Sequence, residues 1–261
     1  MLEQAGTEAA VRVADVLLVF TEGPSTIGVS RIARELDLSK AVVHRILQSL
    51  AARGMVELDP ERREYRLGPA AAALGARALR DSDLRGASLD VLRRLRDEVG
   101  ETATLSSLVP HGRVYLDQFE GVHEIKMTVE LGRRFPLHAG SSGKCVLAFL
   151  PPQQIDELLG APLARLTEHT VVDPAALRAE LAEIRARGWA RSGGERQSDA
   201  GSVAAPIFNV AGSVVGAISV CGPRYRVTGE FVDRIAPRLT AAAAEISHRM
   251  GARPAARRKE A

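Results

Sequence analysis

VSRIARELDLSKAVVHRILQSLAARGMV, running from Val29 to Val56, decides the fold, because its apolar period and its punctuation agree. Ile32, Ala33 and Leu36 recur at helical spacing, Asp37 breaks the run, and Val42, Val43, Ile46, Leu47 and Leu50 resume a second stripe. Two helices joined by a tight turn are expected, with Ser39 capping the second and Gly54 ending it. The second helix carries Lys40, Arg45 and Arg53 with no acid, and turns Ser39, Lys40, Ala41, His44, Arg45 and Gln48 outward. Such a face suits the phosphates and base edges of double-stranded DNA. A helix pair alone is common in globular proteins, so the next segment carries weight. Met55 to Leu58 and Glu64 to Leu67 alternate around a polar tip containing Arg62 and Arg63, which reads as a hairpin. Helix pair and two-stranded wing together predict a winged helix-turn-helix domain over residues 1–68. Val11 to Phe20 supplies its third core helix, ending before Gly23 and Pro24.

Length and charge bound the remainder. The chain of 261 residues is long enough for two cores. No run of about eighteen apolar residues occurs, so no membrane-spanning helix is expected. Met1 to Ala10 lacks a basic region followed by an apolar core, and Cys145 and Cys221 fit neither a disulfide framework nor a zinc site, so a reduced, cytoplasmic protein is expected. Residues 1–68 hold nine Lys or Arg against ten acids. Positive charge is therefore focused on the second helix and the wing tip rather than spread over the domain.

Beyond the wing, the Ala-, Leu- and Arg-rich stretch 69–83 predicts a linker helix. Residues 84–252 read as an α+β domain. An amphipathic helix ends at Gly100, and strands are expected at Thr102 to Val109, Val114 to Phe119 and Ile125 to Val129. Helices are expected at Ser142 to Leu150, Gln153 to Leu159 and Pro174 to Arg187, then strands at Ser202 to Phe208 and Val214 to Val220. The last helix, Thr228 to Met250, is expected to bend or restart at Pro237. RPAARRKEA, residues 253–261, reads as a basic disordered tail.

Three motifs carry a family resemblance: GRRFPLHAGSSGKCVLAFLP (Gly132 to Pro151), RGWARSGGE (Arg187 to Glu195) and SVAAPIFNVAGSVVGAISVCGP (Ser202 to Pro223). With the winged helix before them, they resemble the IclR family of bacterial transcriptional regulators over nearly the whole chain. The resemblance implies a GAF-like effector-binding domain, a small-molecule effector, and a homodimer or homotetramer on a palindromic operator. It places the pocket at Ser192, Ser202, Ser219 and Cys221, with apolar walls near Met127, Val129 and Leu131. Two departures from the usual pattern are Ala41 and Val42, where small hydroxyl residues are common, and Ser192, where an acid is frequent.

Two catalytic look-alikes fail on their residues. A phosphate loop at HAGSSGK would need Gly at 138, which is His138, and Ser or Thr at 145, which is Cys145. Ser141 and Lys144 form an SxxK, but Ala200 and Val227 replace the Asn and Lys that a penicillin-binding enzyme would need at its other motifs. No Ser, His and Asp set or carboxylate pair stands out, and His111, His123, His138 and His169 lack metal-ligand spacing. No catalysis, cofactor or metal is expected. The backbone N–H groups of Ser141 and Ser142 at a helix start instead favour a carboxylate, with Gly140 and Gly143 allowing close approach. Ser219 and Cys221 share one strand face and can join them.

Overall fold

The computed structural model describes residues 7–22 and 24–252; the helix stop at Gly23 and the tail from Arg253 lie outside the described residues. The chain divides into two compact units between Asp81 and Ser82.

In the first unit, α1 (Glu8–Val19), α2 (Val29–Glu35) and α3 (Lys40–Ala51) form a three-helix core. Asp37 adopts φ 51° between α2 and α3, and the Leu38 N–H returns to the Ala33 carbonyl at 2.9 Å. This left-handed stop makes the tight joint. Ser39 caps α3 by accepting from the Val42 N–H at 3.3 Å. Gly54, at φ 68°, closes it, with the Met55 N–H on the Leu50 carbonyl at 3.0 Å. Ile32, Val43 and Leu47 are fully buried beneath the wing of β1 (Val56–Asp59) and β2 (Glu64–Leu67), an antiparallel pair with Val56 opposite Leu67. The helix expected over 69–83 is α4 (Pro69–Arg80), which ends three residues before position 83, and its compact unit is the first.

The second unit starts at α5 (Asp83–Val99), capped by Ser82. Then come β3 (Thr102–Val109), β4 (Gly112–Phe119), β5 (Arg134–Phe135), α6 (Ser141–Leu147), α7 (Pro152–Leu159), α8 (Pro174–Arg187), β6 (Ala190–Gly193), β7 (Ala200–Phe208), β8 (Val214–Pro223) and α9 (Gly229–Arg249). The strands make one antiparallel sheet in the order β5-β4-β3-β8-β7-β6. Alternation divides its faces. Leu105, Val203, Ala205, Ile218 and Val220 pack with α5 and α9, whereas Ala204 and Ala217 pack with α6, α7 and α8. A winged helix-turn-helix followed by an α+β domain is the expected class.

Three expectations of local structure need correction. Ile125 to Val129 is not a strand, because side chains take its main-chain groups. Thr102 Oγ1 donates to the Met127 carbonyl at 2.6 Å, Arg226 Nη2 donates to the Ile125 carbonyl at 2.7 Å, and the Gln118 amide bonds both the Val129 N–H (2.9 Å) and its carbonyl (3.1 Å). Of the two alternatives expected at Pro237, the restart is overturned: the last helix runs through the proline, with buried Ile235, Ala236 and Leu239 on either side of it. The helix expected from Ser142 to Leu150 starts at Ser141 and stops at Leu147.

Candidate functional site

The outward face of α3 is assembled as its period requires. Val43, Leu47 and Leu50 anchor it in the core, which leaves Ser39, Lys40, Ala41, His44, Arg45 and Gln48 exposed. Lys40, His44, Arg45 and Gln48 make no side-chain hydrogen bond or ion pair among the described residues. Arg62 and Arg63 are exposed at the wing tip, where Asp59 Oδ1 accepts from the Glu61 and Arg62 N–H groups, both at 3.0 Å. The Arg62 N–H bond, foremost, lowers the Asp59 carboxyl below its usual range. The surface thus combines a helix with free cations and a hydrogen-bonded turn carrying two more.

A pocket lies in the second unit, and sheet register explains its floor. Ser192 stands opposite Ser202, Ser202 opposite Cys221, and Cys221 opposite Thr102, one polar row across four strands. Ser192, Ser202 and Cys221 line a cavity of about 30 Å3. Met127, Thr128 and Val129 wall it from one loop, Arg196 and Gln197 from another, and Arg113 and Tyr115 from β4. Gly140, Ser141 and Ser142 close it at the start of α6.

That start is fixed by a buried ionic cluster. Lys144 Nζ donates to Glu180 Oε1 at 2.5 Å and also to Glu195 Oε1, while Glu195 Oε2 accepts from the Gly140 N–H at 3.1 Å. Ser141 Oγ donates to Ser202 Oγ at 2.7 Å, so the SxxK serine is bonded to the pocket floor and the lysine to two carboxylates. The two glycines of the loop have different duties. Gly140 adopts φ 82°. A Cβ on Gly143 would come within 2.8 Å of the Leu137 carbonyl, so that glycine serves the packing of α6 on the preceding segment rather than access to a ligand.

Two expected pocket residues stand elsewhere. Leu131 is 51% exposed and does not line the cavity. Ser219 shares the face of Cys221 but belongs to the next row, Ala190, Ala204, Ser219 and Thr104, where its hydroxyl bonds Thr104 Oγ1 at 2.6 Å. Period two fixes a face and not a depth along it. Ser219→Ala is accordingly expected to leave the Thr104 hydroxyl without that partner and cost about 1–3 kcal/mol of stability. Urea unfolding should show that loss, with ligand affinity unchanged; the opposite pattern would return Ser219 to the pocket.

Sequence reasoning missed Arg113, Tyr115, Thr128, Arg196 and Gln197. Arg113 and Tyr115 are two apart on β4, but apolar patterning starts that strand only at Val114, which leaves the arginine in a turn. Arg113 is 1% exposed. Its Nη2 donates to Tyr115 Oη at 3.2 Å, and its Nε and Nη1 have no acceptor. Burial pulls the guanidinium below its ordinary pKa, and the neighbouring Arg196 charge acts the same way against the opposing pull of Tyr115. Burial also pushes the Cys221 thiol up to about 12, with Arg196 opposing. Among the described residues, no group of three or more His, Cys, Asp or Glu is placed to hold a metal ion, and no helix is long and apolar enough to cross a membrane.

The two units thus join a helix-turn-helix module to a sheet domain with a small polar pocket. The chain belongs to the IclR family of bacterial transcriptional regulators: residues 76–248 match the bacterial transcriptional regulator IclR C-terminal profile, and residues 9–60 match the IclR helix-turn-helix domain. It is 36% identical over 252 residues to the HTH-type transcriptional regulator BhcR of Paracoccus denitrificans, covering 96% of this chain and 90% of that protein. A crystal structure of an IclR transcriptional regulator from a Silicibacter species superposes with a TM-score of 0.85 at 35% identity, covering 95% of this chain and 98% of that one. An IclR homolog from Microbacterium hydrocarbonoxydans, crystallised with 4-hydroxybenzoate, gives a TM-score of 0.71 at 28% identity, over 93% and 99% of the two chains.

Proposed function

We propose that this protein is a cytoplasmic transcriptional regulator whose affinity for a two-fold symmetric operator is set by a small carboxylate-bearing effector. The observation that carries the proposal is a polar cavity with a buried guanidinium whose Nε and Nη1 have no acceptor among the described residues, in the same chain as a winged helix. Operator contacts come from the exposed α3 face and from Arg62 and Arg63. In the pocket, the hydroxyls of Ser192 and Ser202 and the first-turn N–H groups of Ser141 and Ser142 offer polar partners, beside the Cys221 thiol and apolar Met127 and Val129. The family member crystallised with 4-hydroxybenzoate, itself a carboxylate, supports this chemistry.

A homo-oligomer is supported by the first unit. Helix α4 contains no buried residue, Leu74 is 61% exposed, and α1 leaves Val11 and Leu18 open. A helix of that length is marginal alone in water, so a second copy packed on it would stabilise both. Footprinting on DNA upstream of the protein's own gene is expected to reveal two symmetric half-sites about 34 Å apart, or a multiple of that. Small carboxylates should change the affinity measured by gel shift. Protection of one asymmetric half-site would overturn the symmetric operator, and indifference to every carboxylate tried would overturn the sensor.

A further inference from the structure

The pocket holds more positive charge than one carboxylate balances. The Arg113 guanidinium lies 4.4 Å from the Tyr115 ring centroid and 5.4 Å from that of Phe135; Arg196 lies over the same two rings at 5.6 and 4.4 Å. Two like charges therefore share one aromatic platform, and no acid lines the cavity with them. The nearby carboxylates are already engaged, Glu101 by Arg226 and Glu195 by Lys144 and the Gly140 N–H. Cys221, on the floor, is held as the neutral thiol by burial. Among the described residues Arg113 Nε and Nη1 are buried without an acceptor, and a buried cation with no carboxylate beside it is costly. Neither arginine is ion-paired among the described residues.

We infer that Arg113 and Arg196 make the pocket selective for a compact dianion, a molecule carrying one carboxylate and a second anionic group, over a monoanion of the same length. The inference rests on the effector-sensor proposal and specifies its ligand class. The hydroxyls of Ser192 and Ser202 line the pocket for one end of such a molecule, Ser141 being engaged with Ser202, and the guanidinium pair serves the other. A planar guanidinium supplies several donors in a fixed geometry and keeps its charge when buried, which a hydroxyl lining cannot replace.

Calorimetric titration of the full-length protein with oxalate, malonate and succinate, against acetate, propionate and butyrate, tests this. At least one diacid is expected to bind tenfold or more tightly than its monoacid of equal carbon number. Arg113→Met and Arg196→Gln should each erase most of that ratio, weakening the diacid by a larger factor than its monoacid. Arg196 is half-buried, so its variant carries the comparison even where Arg113→Met does not fold. An unchanged ratio in Arg196→Gln overturns the inference. So does a wild-type protein that binds monoacids, and responds to them in a gel shift, without preferring diacids; the sensor proposal then stands. If neither series binds nor shifts operator affinity, both fall.

Discussion

Replacing Lys40 and Arg45 together by alanine is expected to weaken operator binding by at least about a hundredfold while leaving the fold intact. Both side chains are exposed on α3 and neither is used within the described residues, so the change removes no internal interaction. The core side of the helix, Val43, Leu47 and Leu50, is untouched. A symmetric dimer would lose four cations at once. If they meet phosphates, the salt dependence of binding should flatten by about one unit for each cation removed; if they meet bases, each position should cost about 1–3 kcal/mol and relax specificity there. Gel shifts over a salt series separate the two. Equal affinity and equal slope for variant and wild type would remove α3 as the recognition helix.

How much could be read from the sequence follows from how local each signal is. The helix pair and wing were legible because the stops at Asp37, Ser39 and Gly54 lie within a few residues of what they terminate. The pocket was legible only in part. Ser202 and Cys221 follow from strand alternation, yet the same alternation brought in Ser219, which stands one row away and is bonded to Thr104. Arg113 and Arg196 are 83 positions apart in the sequence and meet only because both stack on the rings of Tyr115 and Phe135. No periodicity reports that. Ile125 to Val129 has strand composition, but its hydrogen bonds go to Thr102, Gln118 and Arg226, partners that sequence spacing does not connect. The two-residue β5 is too short for any alternation to reveal.

The largest expected loss of stability belongs to Lys144, the residue to which an SxxK pattern would assign chemistry. It is 1% exposed, and its ammonium is held between Glu180 and Glu195. Lys144→Met preserves much of the volume but leaves the buried Glu195 carboxylate with only the Gly140 N–H, at an expected cost of about 3–5 kcal/mol. Glu180 adds less, since its side chain keeps 24% exposure and can turn to water. Adding Glu195→Gln to Lys144→Met removes the stranded charge while an amide oxygen can still accept from Gly140, so the double variant should recover much of the loss. The nonadditivity measures the ion pair itself. The chain's one tryptophan, Trp189, packs against the core of the second unit, so its fluorescence follows that unit's unfolding in urea. If Lys144→Met unfolds at the wild-type urea concentration, the cluster does not hold the start of α6. The positions of Ser141 and Ser142 at the pocket would then need another cause.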